Sequence, residues 1–132
     1  MAKGLAKTFH CGTEFTLAIL DGKWKTVILC YLTERACRYS ELRKLMPRLS
    51  DKVLTERLHD LTASGLVVRK QTPGVAGVVT YALTRKGKAL EELLRQIYTW
   101  GIENAATFGV KVGEPLKALE AQQRPAKSPT CA

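Results

Sequence analysis

The stretch SELRKLMPRLSDKVLTERLHDLTASGL, residues 40–66, decides the fold. Ser40 is a suitable N-cap for a short helix carrying Leu42, Leu45 and Met46, and Pro47 closes it, since proline cannot continue a helix. Ser50 caps a second helix with Asp51 in its first turn, where the helix dipole favours an acid. Its apolar stripe is Leu54, Leu58 and Leu61, at i, i+4 and i+7, and Gly65 offers the left-handed stop. Two short helices joined through Pro-Arg-Leu-Ser, the second strongly amphipathic, read as a helix-turn-helix.

Downstream the period changes. Leu66 to Gln71 is rich in β-branched residues, Thr72-Pro-Gly-Val-Ala-Gly77 has the composition of a chain reversal, and Val78 to Leu83 form a return strand. A helix-turn-helix followed by a two-stranded wing is a winged helix, an α+β but mainly helical fold. Thr84 then caps a long final helix in which Leu90, Leu93, Leu94, Ile97, Tyr98 and Gly101 repeat at helical spacing, with Trp100 beside them. One small domain does not cover so long a stripe, which predicts dimerisation through a second copy of this helix; the alternative is a helix folded back on its own core.

Upstream, Thr13 is placed to cap a short helix carrying Phe15, Leu17, Ile19 and Leu20 that stops at Asp21-Gly22. Trp24, Val27, Ile28, Tyr31 and Leu32 then mark a buried helix, with Ala36 to Tyr39 as a connector or very short strand. The domain organisation expected is an arm over residues 1–10, one folded unit over 11–112, and a tail over 113–132 that is rich in Pro and Gln and expected to be disordered. No internal repeat is visible.

Composition narrows the function. Of 132 residues, 45% are hydrophobic, enough for one core. Lys and Arg number 21 against 12 Asp and Glu, a net of +9. Eleven of the bases and only four of the acids lie between Arg38 and Lys88, so +7 of that charge falls on the helix-turn-helix, the wing and the start of the last helix. A lysine-rich solvated surface would account for such a segment, but its concentration favours a polyanion-binding face. No apolar run approaches the roughly 20 residues of a membrane helix. There is no secretory signal pattern, and a cytoplasmic location is expected. Nucleophile elbows, phosphate-cradling glycine loops, paired carboxylates and metal-ligand clusters are absent, so neither catalysis nor a cofactor or metal is expected. The four cysteines, Cys11, Cys30, Cys37 and Cys131, form no CxxC pair and are expected as free thiols.

If the second helix of the motif enters the major groove, its outward face offers Asp51, Lys52, Thr55, Glu56 and His59, with Lys52, Thr55 and Glu56 nearest the base edges. Glu56 could instead pair with Lys52, and His59 could be merely solvated. Arg57, at the margin of the stripe, could reach a phosphate or pair with an acid. Arg38, Ser40, Arg43, Lys44 and Ser50 approach from the preceding elements, and Arg69 and Lys70 form the basic root of a wing whose tip carries no Lys or Arg.

Taken together, Cys11-Gly-Thr-Glu14, Leu20-Asp-Gly-Lys-Trp-Lys25, Arg38-Tyr-Ser-Glu-Leu-Arg43, Leu49 to Leu58, Leu61 to Val67 and Tyr81-Ala-Leu-Thr84 with Lys86-Gly87 resemble the HxlR-type family. These are winged-helix bacterial transcriptional regulators related to the MarR type. The family usually reads Cys-Pro after its arm, whereas Gly12 follows Cys11 here. The resemblance implies a homodimeric repressor or activator on an inverted-repeat operator. It also implies a sensor role for Cys11, with an oxidant or electrophile as effector; His10 and Lys7 nearby could lower its pKa, although an inert small buried residue fits the sequence equally. Cys30 and Cys37 read as bystanders, and Cys131 as a mobile thiol open to intersubunit disulfides. A small-molecule pocket between wing and dimer helix, in the manner of MarR relatives, and DNA binding without sequence preference remain as alternatives.

Overall fold

The computed structural model describes residues 7–74 and 77–116. Helix α1 spans Gly12–Leu20, α2 Lys25–Glu34, strand β1 Cys37–Arg38, α3 Tyr39–Leu45 and α4 Asp51–Ala63. Strands β2, Val67–Gln71, and β3, Val79–Leu83, are followed by α5, Arg85–Lys88, and α6, Glu91–Asn104, with a 3₁₀ turn at Ala106–Phe108. None of the described helices is long and apolar enough to cross a membrane. The architecture is the winged helix expected. Cys131 and most of the 113–132 segment lie outside the described residues, as do Val75 and Ala76 at the wing tip.

The core is built where the apolar stripes predicted it. Leu54, Leu58 and Leu61 of α4 pack with Ile28, Leu29, Tyr31 and Leu32 of α2, all buried. Burying such side chains contributes roughly 1.5–3 kcal/mol each relative to exposure. Ser50 Oγ accepts from Val53 N–H at 3.2 Å, which satisfies one orphan donor at the start of α4. The far end closes on Gly65 at φ +82°, with Gly65 N–H bonded to Thr62 O and Leu66 N–H to Leu61 O, both at 3.1 Å. That pair of bonds is a Schellman cap.

The wing is part of a three-stranded sheet in the order β1-β3-β2. Beyond the β2–β3 hairpin, Cys37 pairs with Tyr81 and Arg38 with Thr80. Of the two readings of Ala36 to Tyr39, connector or very short strand, the strand is present at Cys37–Arg38, and Cys37 is fully buried in it.

Two expected caps and the extent of the last helix differ from expectation. Helix α1 begins at Gly12, so Thr13 lies inside its first turn: Phe15 N–H bonds Cys11 O at 3.2 Å, and the Glu14 carboxylate accepts from His10 N–H. Helix α3 begins at Tyr39, so Ser40 is not its cap; the Glu41 side chain reaches back to Arg38 N–H at 2.8 Å. Thr84 does cap, with its hydroxyl accepting from Gly87 N–H at 3.1 Å, but the helix it starts stops at Lys88. A tightened turn, in which Leu90 N–H bonds Gly87 O, separates it from α6. The cause is close packing: a Cβ on Gly87 would lie 2.2 Å from Leu66 O, so α5 is pinned against the end of α4 before the chain turns into α6.

The stripe on the last helix divides into two faces. Leu94 is 1% exposed, and Leu90 and Tyr98 are half-buried against the subunit's own core. Leu93, Ile97 and Trp100 look outward, 37%, 46% and 60% exposed. Beyond α6, Leu116 is buried and its N–H bonds Tyr98 Oη at 3.1 Å, so the chain expected to leave the fold at 113 still packs against it at 116.

Candidate DNA-binding face

With its leucines inward, α4 presents Asp51, Lys52, Thr55, Glu56 and His59 as exposed side chains, as its 3.6-residue period requires. Arg38, Ser40, Lys44, Arg69 and Lys70 are exposed around it. Arg38, Tyr39, Ser40, Arg69 and Val79 line a concavity of about 450 Å³ between the start of α3 and the sheet. In the register, Lys70 stands opposite Thr80 and Arg69 opposite Tyr81, so the two wing cations point to opposite faces of the sheet.

Two of the expected phosphate binders are committed within the protein. Arg43 sets Nε 3.0 Å from Asp51 Oδ1 and donates from Nη1 to Leu49 O, bracing the turn between α3 and α4. Arg57 donates from Nε to Lys23 O at 2.9 Å and pairs with Asp60 at 3.6 Å, so of the two roles open to it the acid pairing is present. Lys23 O belongs to an unusual turn: Trp24 has φ +80°, a left-handed conformation for a bulky residue, and is the N-cap of α2 rather than part of the helix.

Tyr39 was not legible as a site residue. Its hydroxyl donates to Asp51 Oδ1 at 2.7 Å and lies 3.3 Å from Thr55 Oγ1. Burial, then the bond to the carboxylate, raises its pKa. The spacing of Asp51 and Thr55, four apart and therefore stacked on one helix face, was the only signal, and nothing local in the sequence brings Tyr39 to them.

Cys11 is exposed, which excludes the reading as an inert buried residue. Its thiol is held below the ordinary value by the backbone N–H of Glu14, then that of Thr13, and so by the helix start. Cys30 is pushed up to about 11 by burial and by the Glu34 carboxylate, and burial also raises Cys37. An apolar cleft of about 300 Å³ lies between α2 and α6, lined by Val27, Cys30, Leu94, Ile97, Tyr98 and Leu116 among others. It involves no wing residue, unlike the pocket considered from sequence. Among the described residues, no group of three or more His, Cys, Asp or Glu comes together to hold a metal.

Residues 19–107 match the HxlR-like helix-turn-helix family. The chain belongs to that family. The uncharacterized HTH-type transcriptional regulator YtcD of Bacillus subtilis is 41% identical over 95 residues, covering 72% of this chain and 75% of YtcD. The redox regulator HypR in its reduced form superposes with a TM-score of 0.71 at 32% identity, over 75% of this chain and 98% of HypR. The reduced transcriptional regulator YodB of B. subtilis gives 0.62 at 29% identity, over 72% and 94%. This HxlR-type chain is thus a transcriptional regulator with a helix-turn-helix DNA-binding fold, and not an enzyme.

Proposed function

We propose that this regulator is a cytoplasmic homodimer that binds an inverted-repeat operator sequence-specifically, and that modification of the Cys11 thiol switches it. The observation that carries the reading is the exposed N-terminal half of α4, where Lys52, Thr55 and Glu56 stand opposite the buried leucines and are flanked by cations. In this reading Lys52, Thr55 and Glu56 meet base edges, with His59 further along the groove. Arg38, Ser40, Lys44, Ser50, Arg69 and Lys70 position the backbone, while Arg43 and Arg57 hold the fold around α4 through their bonds within the chain. The outward face of α6, Leu93, Ile97 and Trp100, is the dimer contact; Gly101 beside it allows close approach. The exposed, acidified thiol of Cys11 supports the switch, as does likeness to a regulator named for redox response.

Random-duplex selection with the full chain tests the core of this reading. An inverted repeat whose half-sites lie about one helical turn apart, roughly 34 Å, is expected. Retention by bulk genomic DNA as strong as by any selected duplex would establish nonselective binding instead. Operator binding by Cys11→Ser before and after mild oxidation tests the switch; a variant that still responds acquits Cys11. The apolar α2–α6 cleft favours a second reading, in which a small apolar effector binds there. That reading expects such compounds to raise the thermal midpoint and shift operator affinity.

A further inference from the structure

The network at the head of α4 fixes the direction of a hydroxyl hydrogen. A phenol carries one O–H hydrogen, and its oxygen can also accept. In Tyr39 that hydrogen goes to Asp51: Oη is 2.7 Å from Oδ1 but 3.3 Å from Thr55 Oγ1, and a carboxylate is the stronger acceptor. Arg43 Nε, 3.0 Å from the same Oδ1, anchors the carboxylate in place. The raised pKa of Tyr39 keeps its hydrogen on across the neutral range. The hydrogen available for the 3.3 Å contact is then Thr55's own. Thr55 donates inward to Tyr39 Oη and leaves its oxygen lone pairs to the exposed face of α4.

We infer that Tyr39 sets Thr55 as a hydrogen-bond acceptor towards DNA. The inference rests on the proposal that α4 enters the major groove with Thr55 at a base edge. An acceptor there favours an exocyclic amino group, N6 of adenine or N4 of cytosine, over the keto oxygens of guanine and thymine. On the strand it faces, Thr55 therefore selects adenine over guanine or cytosine over thymine. Tyr39 is a positioning residue, acting through Thr55.

The experiment compares wild type, Tyr39→Phe and Thr55→Ala by random-duplex selection, followed by affinities on single-base variants of the selected site. Phenylalanine keeps the ring, which packs against the core, and removes only the hydroxyl. Wild type is expected to prefer the amino-bearing base at one position per half-site, and Thr55→Ala to blur that position. Tyr39→Phe should reduce the same preference about five- to tenfold, as loss of one directed hydrogen bond implies, with the circular dichroism of the folded protein unchanged. Three results overturn the assignment: a preference unchanged in Tyr39→Phe while Thr55→Ala still blurs it, a loss spread evenly over all positions, or a keto preference in wild type. If wild type returns no motif, the base-reading proposal itself fails, and this inference with it.

Discussion

Cys11 and Cys30 carry the same thiol in opposite surroundings, and the contrast is measurable. Backbone N–H groups at the start of α1 favour the Cys11 thiolate, whereas burial between α2 and α6 disfavours that of Cys30. Only the thiolate is alkylated, so the rate follows its fraction. Cys11 labelling should reach half its maximal rate below the ordinary thiol value, while Cys30 stays unlabelled in the native protein until the pH nears about 11. Peptide mapping after iodoacetamide treatment at stepped pH checks both; equal labelling of the two at neutral pH would refute the environments described. Arginine invites a parallel contrast. Arg57→Ala removes the bond to Lys23 O and should cost about 1 kcal/mol of stability with little change in the salt dependence of DNA binding. Arg69→Ala should leave stability unaltered and lower the logarithmic salt slope on the operator by about 2, since each of the two protomers releases about one counterion fewer. Denaturant melts and a salt titration of operator affinity separate the two roles.

At the scale of elements, two glycines hold the junction of helix-turn-helix, wing and final helices by different means. Gly65 is required for its left-handed backbone alone, because a Cβ there would meet nothing within 4 Å. Gly65→Ala should therefore cost about 1–2 kcal/mol. Gly87 has ordinary dihedrals but no room: its Cβ would meet the Leu66 carbonyl, which is backbone and cannot swing aside. Gly87→Ala should cost at least as much and displace α5, and Gly65→Asn should recover part of the Gly65→Ala loss while Gly87→Asn recovers none. Thermal melts, at about 4–8 °C per kcal/mol for a domain of this size, resolve the ranking. The same two residues show what could be read in advance. Gly65 was legible because a helix stop is a local, repeating signal, as were the α4 leucines, the Ser50 cap and the β2–β3 hairpin. The clash that makes Gly87 necessary involves a carbonyl 21 residues away, so the division of the last helix was not. Trp24's left-handed φ and the Tyr39–Asp51–Thr55 contact were hidden for the same reason: each is imposed by tertiary placement, not by neighbours in sequence.

At the scale of the whole molecule, the decisive feature is that one predicted stripe became two faces. Leu94 is spent on the subunit's own core, whereas Leu93, Ile97 and Trp100 form an outward apolar surface that continues through Phe108, Val110 and Val112, each at least half exposed. Trp100 and Phe108 approach with ring centroids 6.2 Å apart, so the outer patch is already organised within one chain. A surface of this kind is costly to leave in water and is what a homodimer contact requires. The two faces make opposite predictions. Leu94→Ala opens a cavity in the core and should cost about 2–5 kcal/mol of stability, with association failing only as folding fails. Ile97→Glu and Trp100→Glu place charges on the outer face, where a second copy would bury them unpaired; each should leave the monomer fold and its circular dichroism intact. In sedimentation equilibrium the Glu variants should run as monomers, and their affinity for a palindromic duplex should fall by at least tenfold while affinity for a single half-site changes little. Variants that remain dimeric with full operator affinity would move the dimer contact elsewhere, with the exposed Phe15 and Leu17 of α1 the next apolar surface to test.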